Sequence, residues 1–113
     1  MHTIHLREPW EIEPLPQGTR YRRWFNQPTG LAPGDHVRLV LAGLAGEAFD
    51  AAIGEIASVR LNDFLLTAMS PGVFEIAEHL RGRNCATIDI DTASPTQRPF
   101  TACLQIKAAD DVS

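Results

Sequence analysis

The chain alternates apolar and polar residues with a period of two in several separate stretches. Val37, Leu39 and Leu41 alternate with Arg38, Val40 and Ala42, and Ala57, Val59 and Leu61 alternate with Ser58, Arg60 and Asn62. Ala86, Ile88 and Ile90 alternate with Thr87, Asp89 and Asp91, and Ala102, Leu104 and Ile106 alternate with Cys103, Gln105 and Lys107. Successive side chains of a strand point to opposite faces, so each stretch predicts a strand with one buried face. Around Arg20–Phe25 the same rule puts Tyr21, Arg23 and Phe25 on one face. Arg20, Arg22 and Trp24 fall on the other.

Turn signals separate these stretches. Pro28-Thr29-Gly30 and Pro33-Gly34-Asp35 bracket Leu31, and Gly43 and Gly46 follow the Val37–Leu41 strand. Pro71-Gly72 precedes Val73-Phe74, Gly82 and Asn84 precede Cys85, and Pro95 and Pro99 precede the last strand. Gly and Pro impose turn dihedrals, which makes these physical boundaries. Short strands punctuated at this spacing predict an all-β sandwich or barrel. Two segments read differently. Glu47–Ile56 fits a helical insertion, with Phe49 and Ile53 four residues apart, although a strand also fits. Ile76–Arg81 fits a short helical turn ending at Gly82. The polar tail 108–113 is expected to fray.

The length of 113 residues, with 44% hydrophobic and 21% charged residues, suits one globular domain spanning 1–113. No apolar run reaches the ~20 residues of a membrane span, and the first residues lack a basic-then-apolar leader. A soluble, cytoplasmic, bacterial-type domain is the expectation. The net charge of −4 argues against a nucleic-acid partner. Nine of the ten basic residues are Arg, the densest group being Arg20, Arg22 and Arg23. Charges of this kind on an exposed strand face also discourage edge pairing. Cys85 and Cys103 form no Cys-x-x-Cys pair, so structural zinc is not indicated. Alternation puts both on polar faces. Reduced thiols are the default, with a single bridge left open.

Several stretches taken in order resemble a known family. They begin with Ile4-His5-Leu6-Arg7-Glu8-Pro9-Trp10 and Tyr21-Arg22-Arg23-Trp24-Phe25-Asn26-Gln27-Pro28. Val59-Arg60-Leu61-Asn62-Asp63-Phe64-Leu65-Leu66 follows, then Gly72-Val73-Phe74-Glu75-Ile76-Ala77-Glu78-His79-Leu80 and Arg83-Asn84 opening the strand Cys85–Asp91. The set is similar to the galactose-binding-like jelly roll found as the N-terminal sugar-binding domain of glycoside hydrolase family 2 enzymes. The resemblance implies a jelly-roll β-sandwich of eight or nine short strands and a binding role. Asp63 stands where that family usually has Gly, and Glu47–Ile56 looks like an insertion. The loop Thr67–Gly72 reads Thr-Ala-Met-Ser-Pro-Gly, where that of the hydrolases is richer in His, Gly and aromatic residues, so no sugar-contacting residue carries over from it. The catalytic carboxylates of those enzymes lie in a separate barrel domain.

The residues themselves argue for binding rather than catalysis. His2, His5, His36 and His79 are scattered, without a metal-protease spacing or an adjacent nucleophile. Glu11 with Glu13, and Asp89 with Asp91, share strand faces and could serve as acid and base or bind calcium. Alternating acids on a solvated sheet face are the commoner arrangement. No Asp-x-Asp-x-Asp run supplies the oxygens calcium needs, so neither a cofactor nor a metal is indicated. Sugars are held by a ring against their C–H face plus a few orienting polar groups. Among the eight aromatics, Trp24 on the polar face is the best exposed platform, with Arg22 stacked on it and Arg60 as a second polar contact. The expected function is a non-catalytic module that captures a saccharide through Trp24, Arg22 and Arg60. The alternative is a structural or protein-interaction domain that keeps the fold without a sugar site, as a dimer for example.

Overall fold

Nine strands and a single one-turn helix make up the computed structural model, which describes residues 2–16, 18–44, 56–91 and 99–108. The strands are β1 (His2–His5), β2 (Glu11–Leu15), β3 (Gly18–Asn26), β4 (His36–Gly43) and β5 (Ile56–Leu61). They continue with β6 (Phe64–Leu65), β7 (Val73–Glu75), β8 (Arg83–Ile90) and β9 (Phe100–Lys107), and the 3-10 turn Ala77–His79 lies just before β8. Two antiparallel sheets form, in the orders β1-β9-β4-β7 and β2-β3-β8-β5-β6. Their inner faces meet in one core, with Val37, Leu39 and Leu104 from the first sheet against Tyr21, Leu61 and Ile88 from the second. The architecture is all-β and sandwich-like, in keeping with the predicted class.

The period-two faces fall as read, apart from Ala57, whose side chain lies outside the described ones. Val37, Leu39, Leu41, Val59, Leu61, Ala86, Ile88, Ile90, Ala102 and Leu104 are all buried, and Ile106 is partly covered at the end of β9. Strand β8 departs from simple alternation, since Thr87 and Asp89 on its outer face are buried too, each 8% exposed. It lies between β3 and β5, and Arg20, Arg22 and Arg60 stand on the same outer face beside it. Long arginine stems cover a central strand in this way while their charged ends stay wet.

The turn chemistry is also legible. Asn62 and Asp63 both have positive φ, +50° and +69°, as a type I′ hairpin between β5 and β6 requires. The Ser70–Val73 turn closes with Val73 N donating to Ser70 O at 2.9 Å, and Gly72 supplies φ +77° after Pro71. That is a type II turn, which needs a residue without a Cβ at its third position. The expected turn within Ile76–Arg81 is present as the 3-10 segment. It ends at Leu80, which turns extended (φ −69°, ψ 140°), so Gly82 is not its cap. The Gly82 carbonyl instead accepts Gln27 N at 2.9 Å. The proposed helix at Glu47–Ile56 lies outside the described residues except for Ile56, which opens β5. Of the tail 108–113, expected to fray, all but Ala108 also lies outside them.

An aromatic cluster ties the two sheets together. Phe100 of β9 meets Trp10 edge-to-face at 5.4 Å and Tyr21 of β3 edge-to-face at 5.3 Å. Trp10 Nε1 donates to Leu6 O at 3.0 Å, so the buried indole keeps its hydrogen bond. One tryptophan is thereby used by the core.

Candidate functional site

Antiparallel pairing places the outward residues of β3, β8 and β5 in rows across the second sheet. Arg20 stands opposite Asp89, Arg22 opposite Thr87 and Trp24 opposite Cys85. Thr87 in turn faces Arg60. At the Trp24 end, the 62–63 turn and the chain entering β8 rise around the sheet. They enclose a shallow cavity of about 260 Å³ lined by Arg22, Trp24, Asn62, Asp63, Arg81, Arg83, Cys85 and Thr87.

Two of the three residues singled out from the sequence therefore share one cavity. Trp24 is 42% exposed, which fits an indole on the outer face. Arg22 extends toward the edge strand, where its Nη1 meets Glu13 Oε1 at 2.9 Å. The guanidinium over the Trp24 ring is that of Arg83, 5.1 Å from the ring centroid, and not that of Arg22. Arg60 does not line the cavity. Its Nη2 lies 3.6 Å from Asp89 Oδ2 in the neighbouring row, and its buried Nε has no partner.

Arg20, Arg60 and Ser58 converge on Asp89. Arg20 grips it in a fork, Nε to Oδ1 at 2.7 Å and Nη2 to Oδ2 at 3.0 Å. Ser58 Oγ donates to Oδ2 at 3.5 Å. Burial alone would push the Asp89 carboxyl up, but the hydrogen bonds and charge of Arg20, with Arg60 behind, outweigh it and hold the group below the usual carboxylate range. The same bond raises the Arg20 guanidinium further. This cluster is a clasp between neighbouring strands, and it occupies the arginine that the sequence offered as a second ligand contact.

Asn84 ties down the backbone of Arg81, which lines the same cavity. Its fully buried side chain accepts Arg81 N at 2.7 Å and donates to Arg81 O at 2.8 Å. Its Oδ1 also receives Asn62 Nδ2 at 2.9 Å, while Asn62 Oδ1 accepts Cys85 N at 2.9 Å. Asn62 Nδ2 reaches His79 O at 3.1 Å as well. The two asparagines thus lock the hairpin turn, the 3-10 turn and the start of β8 into one unit. Asn84 bonding to nearby backbone at a strand start was foreseeable from its residue type. The bond to Asn62, 22 residues away, was not.

Cys85 and Cys103 are free thiols. They lie on the outward faces of strands in different sheets, which disposes of a bridge between them. Burial pushes both thiols up, with Thr87 and Arg22 pulling partly the other way at Cys85. Both are expected to react more slowly with iodoacetamide at pH 7.5 than a cysteine in a short peptide, and to close the gap only as the pH rises beyond 9. A rate equal to the peptide's at pH 7.5 would contradict that reading.

A second, larger cavity of about 560 Å³ opens beside the 31–37 loop, near Glu75 and Glu78. Two of its carboxylates serve the fold. Asp35 Oδ2 accepts Ala32 N at 2.8 Å, and Glu75 accepts Val37 N at 3.3 Å and Arg38 Nε at 3.3 Å. His36 Nδ1 lies 3.6 Å from Glu75, and His79 stacks on Phe64 with ring centroids 3.8 Å apart. Among the described residues no three His, Cys, Asp or Glu gather as metal ligands, and no helix is long and apolar enough to cross a membrane.

The sequence singled out neither Arg81 nor Arg83 nor Cys85 as site residues. Arg83 could have been placed by alternation two residues before Cys85, but its seat on Trp24 depends on the β3–β8 register. No protein-family model matches the chain, and no curated protein matches it.

Proposed function

We propose that this domain is a non-catalytic binding module, of the galactose-binding-like jelly-roll type that its sequence resembles, and that it captures a saccharide at the Trp24 cavity. The observation that carries this reading is the half-exposed Trp24 indole at a cavity rimmed by polar groups. A ring for C–H contact beside a few fixed donors is the usual composition of a sugar site. The cavity is shallow and small, so affinity near the millimolar level, about −4 kcal/mol, is expected. Binding needs no bond-making.

Tryptophan fluorescence tests this directly. A bound saccharide should shift the emission of the exposed indole and shield it from acrylamide, while buried Trp10 stays silent. Trp24→Leu should abolish the response and leave the fold intact. A saccharide panel that moves neither emission nor quenching at millimolar concentration would reject the reading.

A second reading rests on a separate observation. Phe64 and Leu65, on edge strand β6, are 52% and 62% exposed. Exposed apolar edges invite pairing with another chain. If the domain is an interaction module instead, light scattering should show a doubled mass that Leu65→Lys returns to the monomer value.

A further inference from the structure

We propose that the Trp24 cavity selects an anionic saccharide, one carrying a carboxylate or sulfate, over its neutral counterpart. The inference deepens the saccharide reading above and rests on it.

Three arginines line a cavity of about 260 Å³, while Asp63 is the one carboxylate among its lining residues. Two of these guanidiniums are oriented by a partner, and the third arginine is fixed at its backbone. Arg22 is tied from outside by Glu13, which fixes the guanidinium's direction. Arg83 lies against the Trp24 ring, a cation–π contact that orders the group without consuming its hydrogen bonds. Arg81 has its backbone clamped at both N and O by the buried Asn84. Among the described residues no carboxylate forms an ion pair with Arg81 or Arg83. Arg60 and Arg20, by contrast, are already engaged by Asp89.

The charge placement runs against the chain's overall balance of −4. Glu11 and Glu13 flank the cavity from β2, opposite Arg22 and Arg20, so the positive field is local. It is screened within about 8–10 Å at ordinary salt. A long polyanion would meet the acidic surface beyond it, whereas a short ligand with one or two anionic groups would not. Guanidinium forks match carboxylate and sulfate oxygens in pairs, which a neutral hydroxyl cannot exploit equally. The Trp24 ring stays 42% exposed with the Arg83 guanidinium beside it, so a sugar ring can stack while its anionic group meets that arginine.

The test uses the full chain and matched ligands in amide NMR titrations. Methyl glucuronide and methyl glucoside differ only in the oxidation state of one carbon. The glucuronide, or glucose 6-sulfate, should bind about tenfold or more tightly than the glucoside, within the range charge-assisted bonds supply. Shifts should centre on Trp24, Cys85 and Arg83. Raising the salt to 0.5 M, or substituting Arg83→Gln, should close most of the gap. The same ligands should slow alkylation of Cys85 and leave Cys103, on the other sheet's outer face, unchanged. Equal binding of the glucuronide and the glucoside would overturn the selectivity and leave the saccharide module standing. Inorganic sulfate or a short oligonucleotide binding as well as the anionic sugar would overturn it too, by showing charge recognition without a sugar. No shift with any saccharide would remove both the module and its selectivity.

Discussion

Asn84→Ala is expected to lower stability by about 4 kcal/mol, since Asn84 is the most deeply buried polar side chain among the described residues. The side chain is fully buried and satisfies the Arg81 N–H, the Arg81 carbonyl and one Asn62 amide hydrogen. Truncation leaves the first two without their side-chain partner in a place water reaches poorly, and each such group costs about 1–3 kcal/mol. The cavity left behind adds to the loss. Urea denaturation of the variant should show a midpoint far below that of the parent with a similar slope. Asn84→Asp separates shape from hydrogen bonding. It keeps the acceptor for Arg81 N but loses the donor to Arg81 O, and it places a charge in the core. It should be no more stable than the alanine variant at pH 7 and should recover as the carboxyl protonates in acid. A midpoint for Asn84→Ala within error of the parent would mean that the asparagine lock contributes nothing.

Asp89→Asn is expected to cost about 2 kcal/mol at pH 7, and that cost is expected to depend on pH. The carboxylate takes a forked bond from Arg20 and faces Arg60, with its side chain mostly out of water. Breaking a fully buried pair costs about 3–5 kcal/mol, and the partial exposure of both arginines reduces that here. The asparagine keeps one acceptor but leaves Arg20 and Arg60 to repel each other across it. The folded carboxyl titrates below its ordinary value of 3.8. Its contribution is therefore complete above that value and is lost as pH falls through the lower folded value. The parent and the variant should differ in chemical denaturation from neutral pH down to about 4 and converge below it. A gap unchanged between pH 7 and pH 2.5 would show that the charge of Asp89 is not what stabilises the clasp.

These two side chains illustrate different degrees of legibility. Asp89 reads from sequence as an outward acid on an alternating strand, and it is outward. Its partner Arg20 lies 69 residues away, and only the β3–β8 register sets the two opposite each other. Arg60 shows the reverse case. Its outward direction was readable, and so was its polar character, yet Asp89 draws it into the clasp and away from the Trp24 cavity. Arg83 opens β8 two residues before Cys85, where nothing along the chain points to an aromatic partner. In the folded chain it lies over the one exposed tryptophan among the described residues.

Local rules decided what needs only neighbours along the chain. Period-two alternation set which side chains of β4, β8 and β9 face the core, because a pleated strand leaves no other choice. Asn62-Asp63 and Pro71-Gly72 set their turns, because few residues accept the dihedrals those turns impose. The outward position of Trp24 beside Arg22 followed from the same alternation. Tertiary structure decided everything that depends on register between distant strands. It seated Arg83 on Trp24, joined Asn84 to Asn62, put the two cysteines in different sheets and gathered three arginines around one cavity. A one-residue slip of β3 against β8 would preserve every local pattern in the sequence and still dissolve that cavity. Its chemistry is therefore a property of the pairing and not of any one segment.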